Sequence, residues 1–186
     1  MDNYYHIGIG FTARPYVPPT NTPLSQIEIM RGRQHNPDWT LLVEPTNQDH
    51  QPFTTRRVSL YGITFDSNFK VWRVFSENFK SLANEDDIDS ILYLGCYHLP
   101  DINKIDEMIK SMPGNEGGYN PSGYSAEWYS ATWVIRVLHE LRRKYQWCHF
   151  YNIPTSEMHG RVLQASRFLK AHLNVGNRTL YFGALE

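Results

Sequence analysis

The chain predicts an α+β domain, an antiparallel sheet of about five to six strands packed against two longer helices and one short helix. Three observations carry that prediction. Five segments of alternating or continuous apolar character lie in the first half, between Tyr4 and Tyr97. Helical stripes follow only after Asp101, so strands and helices are grouped rather than alternated as a parallel sheet would require. The clearest helix, Tyr124 to Lys144, places Ser130, Trp133, Val134, Val137, Leu138, Leu141 and Tyr145 at spacings of three and four. With 186 residues, 41% of them hydrophobic, the chain suits a single domain over residues 1–186 with a substantial core.

Tyr4 to Phe11 reads as the first strand, with Tyr5, Ile7, Ile9 and Phe11 on one face. Gly8 and Gly10 fall on the other face, where another group can approach closely. From Thr12 to Pro37 the chain turns to Pro15, Pro18, Pro19 and Pro23 among polar residues, a long loop with room for one helical turn at Ser25 to Arg31. A loop of that length suggests a lid or pocket wall. Asp38 to Pro45 is a second strand, Arg56 to Thr64 a third, Lys70 to Phe75 a fourth, and Ile88 to Tyr97 a fifth that is apolar enough to be central. Glu85-Asp86-Asp87 reads as a solvated turn. Asp101 can cap a short helix with Ile102, Ile105, Ile109 and Met112 inward, ended by Pro113-Gly114. Ser125 is a suitable N-cap for the central helix, and Arg142-Arg143-Lys144 suit its C-terminus. After an aromatic connection, Thr155 caps a last helix carrying Met158, Val162, Ala165, Leu169 and Leu173, and Thr179 to Ala184 reads as a closing strand.

A net charge of -1 and a pI near 6.7 leave no electrostatic footprint for nucleic acid. No apolar run is long enough for a bilayer, and the residues from Met1 to His6 lack a signal-peptide pattern, so a soluble, cytoplasmic protein is expected. Cys96 and Cys148 form neither a disulfide framework nor a metal spacing, and the histidines lack one too. Cys96 and His98 share a strand face, yet a buried thiol away from a helix start is ordinarily inert. Gly8-Ile9-Gly10 lacks the third glycine of a dinucleotide loop. The expectation is therefore no metal and no cofactor. The 12 Tyr, 9 Phe and 5 Trp suit a small organic ligand as partner, with a homodimer left open.

Two segments, Asp38-Trp39-Thr40-Leu41-Leu42-Val43-Glu44-Pro45 and Tyr129-Ser130-Ala131-Thr132-Trp133-Val134, carry a resemblance. In the order of these short motifs, the chain from about Tyr4 to Leu173 resembles a group of fungal proteins. That group in turn resembles permuted papain-like folds, such as the lecithin-retinol-acyltransferase-like and PPPDE-like enzymes, in which a His strand precedes a Cys helix. The resemblance implies a permuted papain-like sheet and a pocket between strand and helix. Here Asp38 stands at the His position and Ser130 at the Cys position, so thiol chemistry is not available from this pair.

Three readings follow. The leading one is a cofactor-independent cyclase or isomerase of fungal specialised metabolism, acting on an aromatic or polycyclic molecule. Asp38 would be its acid or base, with Tyr129, Ser130 and His35 positioning groups or stabilising charge. Burial of Asp38 would tune it for that work. Trp39, Tyr124, Trp128 and Trp133 would line the pocket, and Arg56 would hold an anionic substrate group. The second reading is a hydrolase or acyltransferase with Ser130 as nucleophile; the third is a non-catalytic binding or interaction protein. Against all of these stands a plain alternative, in which Asp38 orders a turn and Ser130 serves as a helix cap or a small packing residue.

Overall fold

The centre of the molecule is a pair of strands buried on both faces. A computed structural model describes residues 4–12, 38–46, 53, 57–66, 68–69, 71–80, 82, 88, 90–99, 101–115, 130–145, 157–158, 160–165 and 182–184. Strands β1 (Tyr4–Thr12), β2 (Asp38–Thr46), β3 (Val58–Asp66), β4 (Val71–Lys80) and β5 (Ser90–His98) form a five-stranded antiparallel sheet. A three-residue strand, β6 (Phe182–Ala184), adds to β5 in parallel, giving the order β4-β3-β2-β1-β5-β6. This is the α+β layout that the grouping of strands before helices predicts. β5 is an interior strand, but the middle of the sheet falls at β2 and β1.

Helix α1 (Ile102–Ser111) packs on β4, and helix α2 (Ser130–Tyr145) lies across β2 and β3. Asp101 caps α1, its carboxylate accepting from Lys104 N, as its position before an apolar stripe requires. Helical turns also occur at residues 157–158 and 160–165, where Met158 and Val162 are buried. The segments expected at residues 13–37, 83–87, 116–129 and 146–154 lie outside the described residues, so the long loop, the acidic turn and the Ser125 cap do too. No helix among the described residues is long and apolar enough to cross a membrane.

Alternation sorts the side chains into two cores. On one face Ile7, Ile9, Phe11, Trp39, Leu41 and Tyr61 meet Trp133, Val134, Val137 and Leu141 of α2. On the other face Leu42, Phe53, Val58, Leu60, Leu82 and Ile91 form a second cluster. β4 runs five residues past the expected Phe75. Its Ser76-Glu77-Asn78-Phe79-Lys80 end has little apolar alternation to read, and among the described residues β3 is the strand that pairs with it. Trp72 N of β4 donates to Asn115 Oδ1 at 2.8 Å.

The second face of β1 is built around the glycine that the alternation exposes. Phe53 has φ 58, an uncommon backbone state for an aromatic residue, and its ring lies over Gly8. A Cβ on Gly8 would meet Phe53 Cζ at 2.7 Å. The Phe53 N–H donates to a carboxylate oxygen of Glu44, which is itself fully buried. Gly8→Ala is expected to cost about 1–3 kcal/mol in urea unfolding. Most of that added cost should vanish in a Phe53→Ala background, and additive losses would show that the ring does not set the limit.

On the first face, Tyr61 Oη donates to Asp106 Oδ1 at 2.9 Å and ties α1 to β3. Burial, and then the neighbouring Asp106 charge, push the Tyr61 phenol well above its ordinary range. The folded state therefore keeps a proton that the unfolded chain releases above about pH 10. The stability from Tyr61 is full below that pH and is lost as pH rises through the folded value. Wild-type stability should fall more steeply than that of Tyr61→Phe on raising the pH beyond 10, measured by denaturant titration at each pH; equal slopes would contradict this.

Candidate active site

The end of β2 nearest α2 is where sheet and helix exchange polar contacts. β2 pairs with β3 from Leu41 to Val43, and Trp39 lies beyond that ladder. The Trp39 N–H finds its acceptor on the helix instead, donating to Ser130 Oγ at 3.0 Å. The Ser130 hydroxyl in turn donates to Asp38 Oδ1 at 3.0 Å. One small side chain therefore receives a main-chain donor and supplies a donor to a carboxylate, two residues that are neighbours in β2. Serine suits the position because its hydroxyl does both and its size lets the helix sit close to the strand.

The two ends of this relay differ in environment. Ser130 is 2% exposed, whereas Asp38 is exposed. The expected burial of the Asp38 carboxylate is thus corrected: it stands at the head of the strand, beyond the reach of the core, where solvent covers it. The oxygen Oδ1 is held by a buried hydroxyl, so the carboxylate is oriented from behind and open in front. That is a useful geometry for proton transfer. For a serine nucleophile it is a poor one, because the hydroxyl is enclosed, its proton is given to Asp38, and it already accepts from Trp39 N.

The remaining expected site residues divide in two. Trp39 and Trp133 present almost no surface, at 1% and 0% exposure, and the Trp39 ring meets Phe11 edge-on at 5.8 Å. Their assignment as substrate-binding walls is corrected, since both rings are spent on joining α2 to β1 and β2. His35, Arg56, Tyr124, Trp128 and Tyr129 lie outside the described residues. Cys96 and His98 do share a face of β5, with Cys96 half-buried and His98 exposed. Two residues that the sequence reading passed over, His6 and Glu44, are buried opposite each other on β1 and β2. The only signal for His6 was its place among the small and polar residues on the second face of β1, and Glu44 had none without the register. Among the described residues, no group of three or more His, Cys, Asp or Glu is placed to hold a metal ion.

Comparison of the chain with protein-family models, curated proteins and solved structures finds no match. The chemistry of the site thus rests on its own geometry. Ser130→Ala removes the acceptor of a buried main-chain N–H and should cost about 1–3 kcal/mol in equilibrium unfolding. Asp38→Asn should cost less, because the amide oxygen can accept the same hydrogen bond. The reverse order would show that the Trp39 to Ser130 bond contributes little.

Proposed function

We propose that the chain is a cofactor-independent cyclase or isomerase in which Asp38 is the acid/base group, acting on an aromatic or polycyclic small molecule. The observation that carries this reading is the solvent-facing Asp38 carboxylate held at Oδ1 by the buried Ser130 hydroxyl at 3.0 Å. A carboxylate fixed in this way can take a proton from a carbon acid and return it at another position, which changes connectivity or ring closure without changing mass. Ser130 acts as a positioning residue, and its own anchor on Trp39 N keeps the hydroxyl aimed at Asp38. The resemblance to papain-like folds supports the same place on the molecule, because the two positions that would hold a His and a Cys are the two that touch here. It also supplies the setting of fungal specialised metabolism, in which a kept pocket has changed its chemistry.

The serine hydrolase or acyltransferase reading is weakened by the enclosure of the Ser130 hydroxyl. A non-catalytic binding protein is the second reading, favoured by the loss of Trp39 and Trp133 to the core, which removes two of the expected pocket walls. Purified protein added to a metabolite extract from cells lacking the gene distinguishes them by liquid chromatography and mass spectrometry. The wild type should convert an accumulated compound to an isomer of equal mass, while Asp38→Asn should leave it unconverted with a nearly unchanged thermal midpoint. Full conversion by Asp38→Asn would refute the assignment, a product gaining one water would restore the hydrolase, and no conversion by either protein would favour binding alone.

A further inference from the structure

A second group of reactive side chains lies on the face of the sheet away from α2, at the far end of β2 from Asp38. Asp38 and Glu44 stand six positions apart along the extended strand, roughly 20 Å. In the register of the sheet, His6 on β1 stands directly opposite Glu44 on β2 and directly opposite Cys96 on β5. Directly opposite residues have Cβ atoms roughly 4.5–5.5 Å apart, within reach of an imidazole and a thiol.

The β5 strand contains the device that assembles this group. Gly8 pairs with Tyr93, while Ile7 pairs with Gly95, so one extra residue is inserted in β5 and Gly95 takes φ 139. Without that irregularity Tyr93 and Cys96, an odd number of residues apart, would point to opposite faces. With it both stand on the His6 face. Tyr93 Oη lies 3.1 Å from His6 Nδ1 and orients the ring. Phe53 closes one side, its ring 6.4 Å from His6 and 6.3 Å from Tyr93.

Exposure is graded across the group. His98 is exposed beside Tyr4 at the rim, Cys96 and Tyr93 are half-buried, and His6 and Glu44 are buried beneath them. A reagent from solvent therefore reaches the thiol first, with the imidazole behind it and aromatic rings at its side. We infer that Cys96 and His6 form a nucleophile and base pair that adds covalently to small activated alkenes conjugated to a carbonyl. The Cys96 sulfur bonds to the β-carbon, the π pair moves to the α-carbon, and the thiol proton passes through His6 to that carbon. No leaving group or oxidant is involved. Burial raises the Cys96 thiol above its ordinary range, so a base must take its proton as the bond forms. Half-buried Tyr93 provides the flat apolar surface that a conjugated electrophile prefers, with the buried Phe53 ring packed edge-on against it.

The test uses the full chain carrying Cys148→Ser, so that Cys96 is its only thiol, and follows the rate of N-ethylmaleimide addition against pH. The titratable groups on the same face of the sheet as the thiol are His6, Tyr93, Tyr4 and His98 and, across β1, Glu44. The parent rate should rise through an inflection that lies below the range of thiol ionisation and belongs to the imidazole. His6→Gln should lose that inflection and slow the reaction at neutral pH by about a hundredfold. Tyr93→Phe, which keeps the ring and removes the hydroxyl, should shift the inflection without abolishing it. His98→Gln should leave it in place. A parent profile that follows thiol ionisation alone, an unmodified Cys96, or equal rates for parent and a folded His6→Gln would each overturn the inference. Should His6→Gln fail to fold, the parent and Tyr93→Phe profiles decide.

Discussion

One side-chain hydroxyl completes the sheet where strand pairing stops. Past Leu41, β2 has left its ladder with β3, and the Trp39 N–H turns to the helix. Ser130 supplies its acceptor from α2. A buried N–H without a partner costs about 1–3 kcal/mol, enough to matter in a fold of ordinary marginal stability. The same bond fixes the depth at which α2 sits on β2 and β3, and so where Trp133 and Val134 enter the core. The orientation of Asp38 is a by-product of that requirement, because the hydroxyl that accepts from Trp39 has its proton left to donate.

The second constraint is that β1 is buried on both faces. A strand in that position carries apolar residues on the helix side and must find room and partners for whatever lies on the other. Gly8 provides room by admitting the Phe53 ring, and Glu44 provides the acceptor that holds Phe53 in its left-handed backbone state. His6 reaches Tyr93. Polar side chains on this face are thus tied to structure before any chemistry is asked of them, and Cys96 joins them only because Gly95 shifts the register of β5.

Much of the fold could be read from the residues alone. Tyr5, Ile7, Ile9 and Phe11 alternate cleanly, Asp101 precedes an apolar stripe, and the α2 stripe has the spacing of three and four, so these elements lie close to where the pattern puts them. The pairing of Asp38 with Ser130 is another matter, since 92 residues separate them and no local pattern connects them. Only the resemblance brought the two positions together. Trp39 and Trp133, expected at a pocket, are buried, and an aromatic ring in a core and one lining a pocket make the same mark in a sequence. The His6, Glu44 and Cys96 arrangement was illegible for a physical reason: it depends on strand register and on one inserted residue at Gly95, which side-chain periodicity does not encode.

The most direct measurement of the central claim, that the Ser130 hydroxyl is committed to Trp39 and Asp38, is amide hydrogen exchange at Trp39 in the wild type and in Ser130→Ala. The account predicts a strongly protected Trp39 amide in the wild type, with protection lost at that site in Ser130→Ala while the amides of Ile7 and Leu41 stay protected. Rapid exchange at Trp39 in the wild type, or unchanged protection in the variant, would mean that the hydroxyl is free of the sheet, and Asp38 would lose the support on which its proposed role depends.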